Sequence, residues 1–484
     1  MSVFITFNPK YTIKPNKDQV VLLTSASTDF DNVFSIIHPI HAMILCCIDG
    51  RPKEEIVQDI SRQLQIETEV VEDFIKPLIN NQEDVFLKHD HSVVKFPPMT
   101  IVYSNQKPYR TYSVDQFIYT SVDLRYKRLV SPARITFMVN NVCKTNCYYC
   151  YADRRFPQQS TLPFDRIKGI IQEAFENHVI SINTIGGEFF LYPYWKELTV
   201  ELKKYDYPVS VSTKLPLDRS TVEFIKDQNL SFLQISLDTL IKSHLLKIIG
   251  VREAYYDEMK ETFRLLEKAG VKVAVHTILN RYNDSLEDMK SLFDFLSRFS
   301  NIQYWRCDLV GASLYNSTPI ENMEPDPARH REIASYLTQL KETAPFMIYP
   351  IAPPAVTPVS GKKENKYDKF MNRGFCSGNF STLFILPDGK VTICEELYWH
   401  PHFIIGDLSN QSLAEVWNSK KAVEIYQVDQ KSIPPDSLCH ACEIFSECRS
   451  FKQVCYKKIL KVFGYDKWYY PDPDCPFVEE KQLE

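Results

Sequence analysis

Between Val142 and Ala152 the chain reads VCKTNCYYCYA, which sets Cys143, Cys147 and Cys150 in a Cys-x3-Cys-x2-Cys run. Three thiolates so spaced can hold three irons of a [4Fe-4S] cube and leave the fourth iron without a protein ligand. A free coordination position implies chemistry, although a short thiol run also suits zinc. A second thiol-rich stretch lies far downstream. Cys376 is followed by twelve residues, Gly389, four more residues and Cys394, and then come Cys439-x2-Cys442-x5-Cys448, Cys455 and Cys475. Seven cysteines exceed the needs of one tetrahedral zinc site. Glu395 and Glu396 follow Cys394 directly, which puts carboxylates beside a candidate metal ligand. His400 and His402, in a Trp-His-Pro-His turn, read as surface aromatics rather than ligands.

The rest of the chain must position these groups. At 484 residues it needs two to four domains, and 44% hydrophobic with 24% charged residues is the composition of a soluble globular protein. The 56 Lys and Arg against 61 Asp and Glu leave a net charge of -5, which argues against nucleic-acid binding. The N-terminus lacks the basic and apolar regions of a secretory signal, and the run Ala42 to Ile48 is far too short to span a bilayer. A cytoplasmic protein with no membrane association is therefore expected. In that reducing compartment thirteen cysteines point to metal rather than disulfides.

Residues 1–96 read as a separate module. Val20 to Leu23 is a predicted strand, and Pro39 to Cys47 a helix ended by Asp49-Gly50. Glu54 to Leu64 and Thr68 to Ile79 have helical periodicity, and Val85 to Phe96 reads as a closing strand. Cys46 and Cys47 read as buried packing residues. Residues 97–132 form an aromatic-rich bridge without periodicity. From 133 to 344 strands and helices alternate. Strands are predicted at Arg134–Val139, Val179–Ile185, Val209–Ser212, Phe232–Ser236, Lys272–Ile278 and Ile302–Asp308, with helical patterns between them. Six strands each followed by a helix predict an α/β fold, a partial (β/α)6 TIM-type barrel. Its chemistry belongs at the carboxyl ends of strands, where the Cys143 loop falls. Residues 345–373 carry a proline cluster and a Lys/Glu/Asn run and read as an extended connector, and 374–484 as a cysteine-rich C-terminal domain.

The Cys143 run after the first barrel strand closely resembles the signature of the radical S-adenosylmethionine (SAM) superfamily. In that family SAM chelates the open iron, and a 5'-deoxyadenosyl radical formed from it abstracts a substrate hydrogen. The resemblance extends to Tyr149, where the family places an aromatic beside adenine. It includes Gly186, Gly187 and Glu188 at the end of the second strand, which would meet the methionyl amine, although Phe189 replaces the usual proline. Ser212, and Gln234, Ser236 and Asp238 in the strand QISLDT, resemble the polar contacts to the SAM ribose or carboxylate. For that carboxylate Lys214 and Arg252 are candidate basic partners.

The downstream cysteines resemble the SPASM extension of radical SAM proteins, with six residues rather than three between Cys448 and Cys455. Carried over, the resemblance implies two auxiliary [4Fe-4S] clusters. Cys439, Cys442, Cys448 and Cys475 would bind the outer one, and Cys376, Cys394 and Cys455 the inner one. No nearby fourth cysteine completes the inner set; Cys307 on the sixth strand is a remote candidate that reads better as core. Glu395 stands where sulfatase-maturing relatives carry a carboxylate thought to take the substrate proton. Residues 1–96 resemble a PqqD-like domain, a winged-helix-like α+β module that recognises a leader peptide, by β-augmentation in physical terms.

Together these resemblances imply a radical SAM/SPASM maturase of a ribosomally synthesised precursor peptide. It would form a thioether or carbon-carbon cross-link, with a low-potential donor such as flavodoxin or ferredoxin supplying electrons. Alternatives are a sulfatase-type maturase, a peptide epimerase with Cys307 as hydrogen donor, and a zinc-stabilised peptide-binding protein without catalysis.

Overall fold

The computed structural model describes residues 2–24, 34–89, 92–153, 161–354, 365–450 and 453–479. Part of the predicted connector's Lys/Glu/Asn run therefore lies outside the described residues. The chain forms two compact units. One is Met1–Arg134 with Gln172–Ser181 and Asn379–Thr382; the other is Ile135–Ile171, Ile182–Gly378 and Leu383–Glu484.

In the first unit the helices Pro39–Leu45, Lys53–Leu64 and Thr68–Ile75 are followed by a hairpin, Val85–His89 with Ser92–Phe96. Leu45, Ile56, Ile60, Val71, Ile75 and Phe96 share its core, as the helical spacing requires. Three helices and a hairpin is a winged-helix-like order. Two details differ from expectation. The segment read as one closing strand is this hairpin, and Gly50 does not stop a helix. The helix ends with Cys46 as its C-cap, while Gly50 sits in the strand Asp49–Pro52 at φ +91°. A Cβ there would come within 2.8 Å of the Gln106 carbonyl oxygen, so the glycine permits a close backbone approach. Cys46 and Cys47 are half-buried with sulfurs 4.0 Å apart.

The aromatic bridge packs into this unit. Phe117 is fully buried, and the Tyr112 hydroxyl accepts from the Ile13 amide at 3.0 Å. Lys14 is buried too, donating to Ser131 Oγ at 2.5 Å and to the Asn177 carbonyl. Burial, reinforced by Arg110, lowers its pKa to about 7. The unfolded chain thus holds more protons than the folded one between pH 7 and 10.5, and stability rises with pH across that window. Ser131 Oγ still donates to the Asn177 carbonyl at 3.0 Å without the lysine. Lys14→Met is therefore expected to gain on the order of 1 kcal/mol at pH 7 and to lose that advantage towards pH 10. Thermal unfolding at a series of pH values checks this.

In the second unit Ser210–Thr213, Phe232–Ser236, Val273–Leu279, Ile302–Leu309 and Met347–Tyr349 pair in parallel and in that order. Arg134–Met138 and Ser181–Ile185 lie in a second sheet, which continues from Arg134–Met138 into Thr382–Ile385, Lys390–Thr392 and Ile404–Asp407. All six predicted barrel strands are present. The stretch read as a connector supplies a seventh parallel strand, Met347–Tyr349, and a short helix, Lys366–Met371. Helices Lys242–Ile249 and Pro327–Leu340 went unpredicted. The C-terminal hairpin extends the sheet of the first barrel strand instead of hanging from a tether. Arg166, on the helix Phe164–Glu176, fastens it further by donating to the carbonyls of Leu408 (2.6 Å) and Gln411 (2.9 Å).

Candidate active site and thiol sets

The loop after Arg134–Met138 carries the first three cysteines. Thr145 links two of them, its hydroxyl 3.1 Å from Cys143 Sγ and 3.5 Å from Cys147 Sγ. The two glycines that end Ser181–Ile185 make room for the loop's root. A Cβ on Gly187 would fall 2.3 Å from the Val142 carbonyl oxygen, and one on Gly186 3.1 Å from that of Asn140. Gly187 N–H donates to the Asn140 carbonyl at 2.9 Å, and Asn140 Nδ2 to the Glu188 carbonyl at 3.0 Å. Only glycine allows this approach, so the motif fixes the cysteine loop against the second strand.

Glu188 is buried, and its carboxylate accepts from the amides of Phe190 (3.3 Å) and Lys214 (3.2 Å). Burial raises its pKa, opposed by these bonds and by the Thr213 hydroxyl. Beside it a buried charge network forms around Asp238. Tyr149 Oη donates to Asp238 Oδ2 at 2.5 Å, Lys214 Nζ lies 3.0 Å from the same oxygen, and Ile278 N–H donates to Oδ1 at 3.0 Å. Of the two basic candidates Lys214 belongs to this network. Arg252 instead lines a cavity of about 850 Å³ with Lys144, Leu215 and Tyr255. Burial raises the Cys147 thiol, and the Lys214 ammonium opposes that rise. Tyr149, Glu188 and Asp238 thus share one site with the cysteine loop. Gln234 donates to Ser212 Oγ at 2.9 Å within the barrel's inner face, four residues before Asp238.

Lys214 and Asp238 are a buried pair, so removing one partner strands the other. Lys214→Met is expected to cost about 3 kcal/mol, and the double change Lys214→Met with Asp238→Asn to recover most of it. Unfolding midpoints of Lys214→Met, Asp238→Asn and the double variant measure the coupling.

The downstream cysteines form two sets. Cys475, whose pKa burial raises to about 11, feels Cys439, Cys448 and Cys442, and Cys442 feels Cys439 and Cys448. Two arginines address this outer set: Arg373 Nη2 lies 3.3 Å from Cys448 Sγ and Arg449 Nη2 3.6 Å from Cys439 Sγ. In the inner set Cys376 feels Cys455, and Cys394, raised to about 12 chiefly by burial, feels Cys376. Gly378 presses close beneath this set, because a Cβ would fall 2.6 Å from the Ile393 carbonyl oxygen and 3.5 Å from Cys376 Sγ.

The donor sets fit iron-sulfur clusters. Each thiolate of a cube takes its own iron, so the sulfurs spread wider than on a single zinc. Cys307 is buried and does not join either set: it alternates with Arg306 and Asp308 on its strand and faces the helices. His400 is buried rather than superficial, its Nε2 2.7 Å from the Tyr465 carbonyl oxygen, and His402 stacks on Trp468.

Two tyrosines join the first loop to the C-terminal hairpin. The Tyr151 and Tyr398 rings lie 6.4 Å apart, and both hydroxyls feel Cys150, Glu395 and Glu396. Glu396 Oε1 pairs with Lys457 Nζ at 2.7 Å, while Glu395 keeps solvent access. Burial, then Glu396, raise the Glu395 carboxyl, and Lys457 opposes them. The tyrosines, Lys457, Arg373 and Arg449 were not singled out from sequence. Tyr151, directly after Cys150, and Arg449, directly after Cys448, are the ones with a local signal.

Fold and thiol sets together define an iron-sulfur enzyme of the radical SAM class. Residues 138–296 match the model of the Radical SAM superfamily, and residues 376–443 that of SPASM, an iron-sulfur cluster-binding domain. Among curated proteins the chain is similar to the antilisterial bacteriocin subtilosin biosynthesis protein AlbA of Bacillus subtilis, 21% identical over 73% of this chain and 72% of that one. A probable GTP 3',8-cyclase of Pyrococcus abyssi is 25% identical over 30% of this chain and 45% of its own. Among solved structures, Streptococcus suis SuiB bound to S-adenosylmethionine shares the fold with a TM-score of 0.63 at 16% identity, covering 97% of this chain and 99% of that chain. SuiB bound to precursor peptide SuiA gives 0.64 at 15% identity and the same coverage.

Proposed function

We propose that this enzyme modifies a ribosomally synthesised precursor peptide by radical SAM chemistry, forming a thioether or carbon-carbon cross-link. The observation that carries this reading is the junction of Cys150, Tyr151 and Tyr398 with Glu395 beside Cys394. A substrate held at the first thiol loop there also faces a carboxylate and the inner thiol set. AlbA, a bacteriocin biosynthesis protein, and SuiB, solved with its precursor peptide, support a peptide substrate.

When bound, the clusters and SAM supply one-electron chemistry that removes a substrate hydrogen atom. The chain's own groups do the rest. Lys214, Asp238 and Tyr149 shape the SAM pocket, and Glu188 and the two glycines hold the loop. Glu395 takes the substrate proton. An inner set of three thiols leaves a position at which a substrate thiolate could bind, which favours the thioether. The epimerase reading loses support, since Cys307 faces the helices rather than the barrel interior.

In this reading the first unit is a PqqD-like module for the leader. Its hairpin is a two-stranded sheet, and Phe86 and Val93 are exposed on one face of it. An extended peptide can add to such an edge. The enzyme works in the cytoplasm, with a flavodoxin or ferredoxin as electron donor; among the described residues no helix is long and apolar enough to cross a membrane.

The test is anaerobic reconstitution with counts of iron and sulfide, followed by assay of 5'-deoxyadenosine with and without a candidate peptide. A peptide two hydrogens lighter supports cross-linking; unchanged mass with solvent deuterium gained means epimerisation. Colourless protein without SAM cleavage would falsify the enzyme reading. The double change Phe86→Glu with Val93→Glu is expected to weaken leader binding about tenfold or more, read by fluorescence anisotropy. Unchanged affinity would remove the leader role from the hairpin.

A further inference from the structure

The inner face of the five-stranded parallel sheet is built unlike that of a closed barrel. Along Val273–Leu279 the residues Val273, Val275, Thr277 and Leu279 are buried against the helices, while His276 and Ile278 are part-exposed on the other face. The neighbouring strand repeats this, with Trp305 and Cys307 buried and Tyr304, Arg306 and Asp308 accessible. Closed (β/α) barrels fill their interior with layers of bulky branched side chains. Here the register sets Ser212, Gln234, Ala274, Tyr304 and Met347 in one layer. The next layer towards the strands' carboxyl ends holds Ser236, His276, Arg306 and Tyr349. Small residues on one side therefore face large ones on the other.

The large residues make an aromatic and thioether platform. Tyr304 and Tyr349 meet edge to face, centroids 5.2 Å apart at 90°. Phe232 reaches Tyr304 across the intervening strand at 6.1 Å and 24°, which the single methyl of Ala274 permits. Met347 and Tyr349 are 59% and 49% exposed, on strand positions where a packed barrel would bury them. Arg306 Nε and His276 Nε2 both contact Asp308 Oδ2, at 2.7 and 2.9 Å, so the polar groups beside the platform are already paired.

We propose that this platform is a specificity subsite that takes one bulky apolar or aromatic side chain of the substrate peptide. The proposal rests on the peptide-modifying reading above and adds which residue of the peptide the barrel reads. Asp238 lies four residues beyond Gln234, about 13 Å along the strand, and Tyr304 lies two strands across from Gln234, about 10 Å at about 4.8 Å per strand, so the platform is roughly 16 Å from the SAM network. An extended peptide covers that distance in about five residues. The residue read thus sits about five positions from the one that loses its hydrogen. Rings and a thioether supply the apolar contact, and the serines opposite leave it space.

The probe is a series of fluorescein-labelled nonapeptides of glycine with Phe, Leu, Ser or Glu at the centre, titrated by anisotropy into the full-length protein. Phe and Leu are expected to bind about tenfold tighter than Ser or Glu. In Met347→Ala with Tyr349→Ala that preference disappears, and in Tyr349→Phe it is retained; circular dichroism confirms that each variant folds. Equal affinity across the series, or a preference that survives the alanine changes, overturns the subsite. If the protein proves to be a peptide maturase and the series shows no preference, the subsite alone fails. If the preference holds in a protein that neither binds iron nor cleaves SAM, the maturase reading fails and the subsite stands.

Discussion

A chain with Cys143, Cys147 and Cys150 all replaced by alanine is expected to lose 5'-deoxyadenosine formation to background while keeping most of its iron. The three sulfurs lie on one loop, two of them joined through Thr145, and Lys214 places a cation close to Cys147. Among the described residues the thiols that act on Lys214 are Cys147 and Cys143. Removing the loop's thiols therefore removes about four irons, one cube, and leaves the sets around Cys439 and Cys376 to hold about eight. Iron and sulfide analysis with a SAM-cleavage assay reads both quantities. Loss of all iron would mean that the three sets fold as one metal-dependent unit; undiminished SAM cleavage would place the radical chemistry elsewhere. A zinc protein would show neither the iron nor the cleavage.

The barrel was legible because its strands advertise themselves by period and length, and each of the six lies within about two residues of its predicted position. The spacing of Cys143, Cys147 and Cys150 marks one thiol set, since ligands close in sequence share a loop, whereas the division of the downstream cysteines into two sets is what the SPASM resemblance implies. What stayed hidden was long-range. Nothing local in Arg373 shows that it will donate to a cysteine sulfur, and Lys457 finds Glu396 from 61 residues away. Met347–Tyr349 follows an irregular segment and precedes prolines, so three residues carried too little pattern to outweigh the connector signal. The Gly-Gly pair reads, through the resemblance, as a contact to the methionyl amine. Its packing against Val142 is a tertiary fact, set by how the second strand's end meets the cysteine loop. The bridge 97–132 lacked periodicity because it makes no regular elements long enough to show one, yet Phe117 and Leu129 are fully buried.

In the proposed reaction Glu395, rather than Glu396, accepts the substrate proton. Glu396 is held by Lys457 at 2.7 Å, and a carboxylate so paired is fixed in place. Glu395 has the opposite circumstances: protein surroundings and the neighbouring Glu396 make its proton harder to lose, yet it reaches solvent beside Tyr151 and Tyr398. A group so placed can take a proton from a substrate without first breaking an ion pair. Glu395→Gln keeps size and shape and removes the base. It is expected to leave SAM cleavage running while modified peptide falls by about 10² to 10⁴ fold, so that the two products uncouple. Glu396→Gln strands Lys457 instead and is expected to lower stability by about 1 to 3 kcal/mol, with less than about tenfold loss of modified peptide. Mass spectrometry of the peptide beside chromatography of 5'-deoxyadenosine separates the two. If Glu396→Gln uncouples the products and Glu395→Gln does not, the roles are exchanged. If neither does, the proton leaves by another group, and the neutral, Asp308-held His276 of the barrel interior is the next to change.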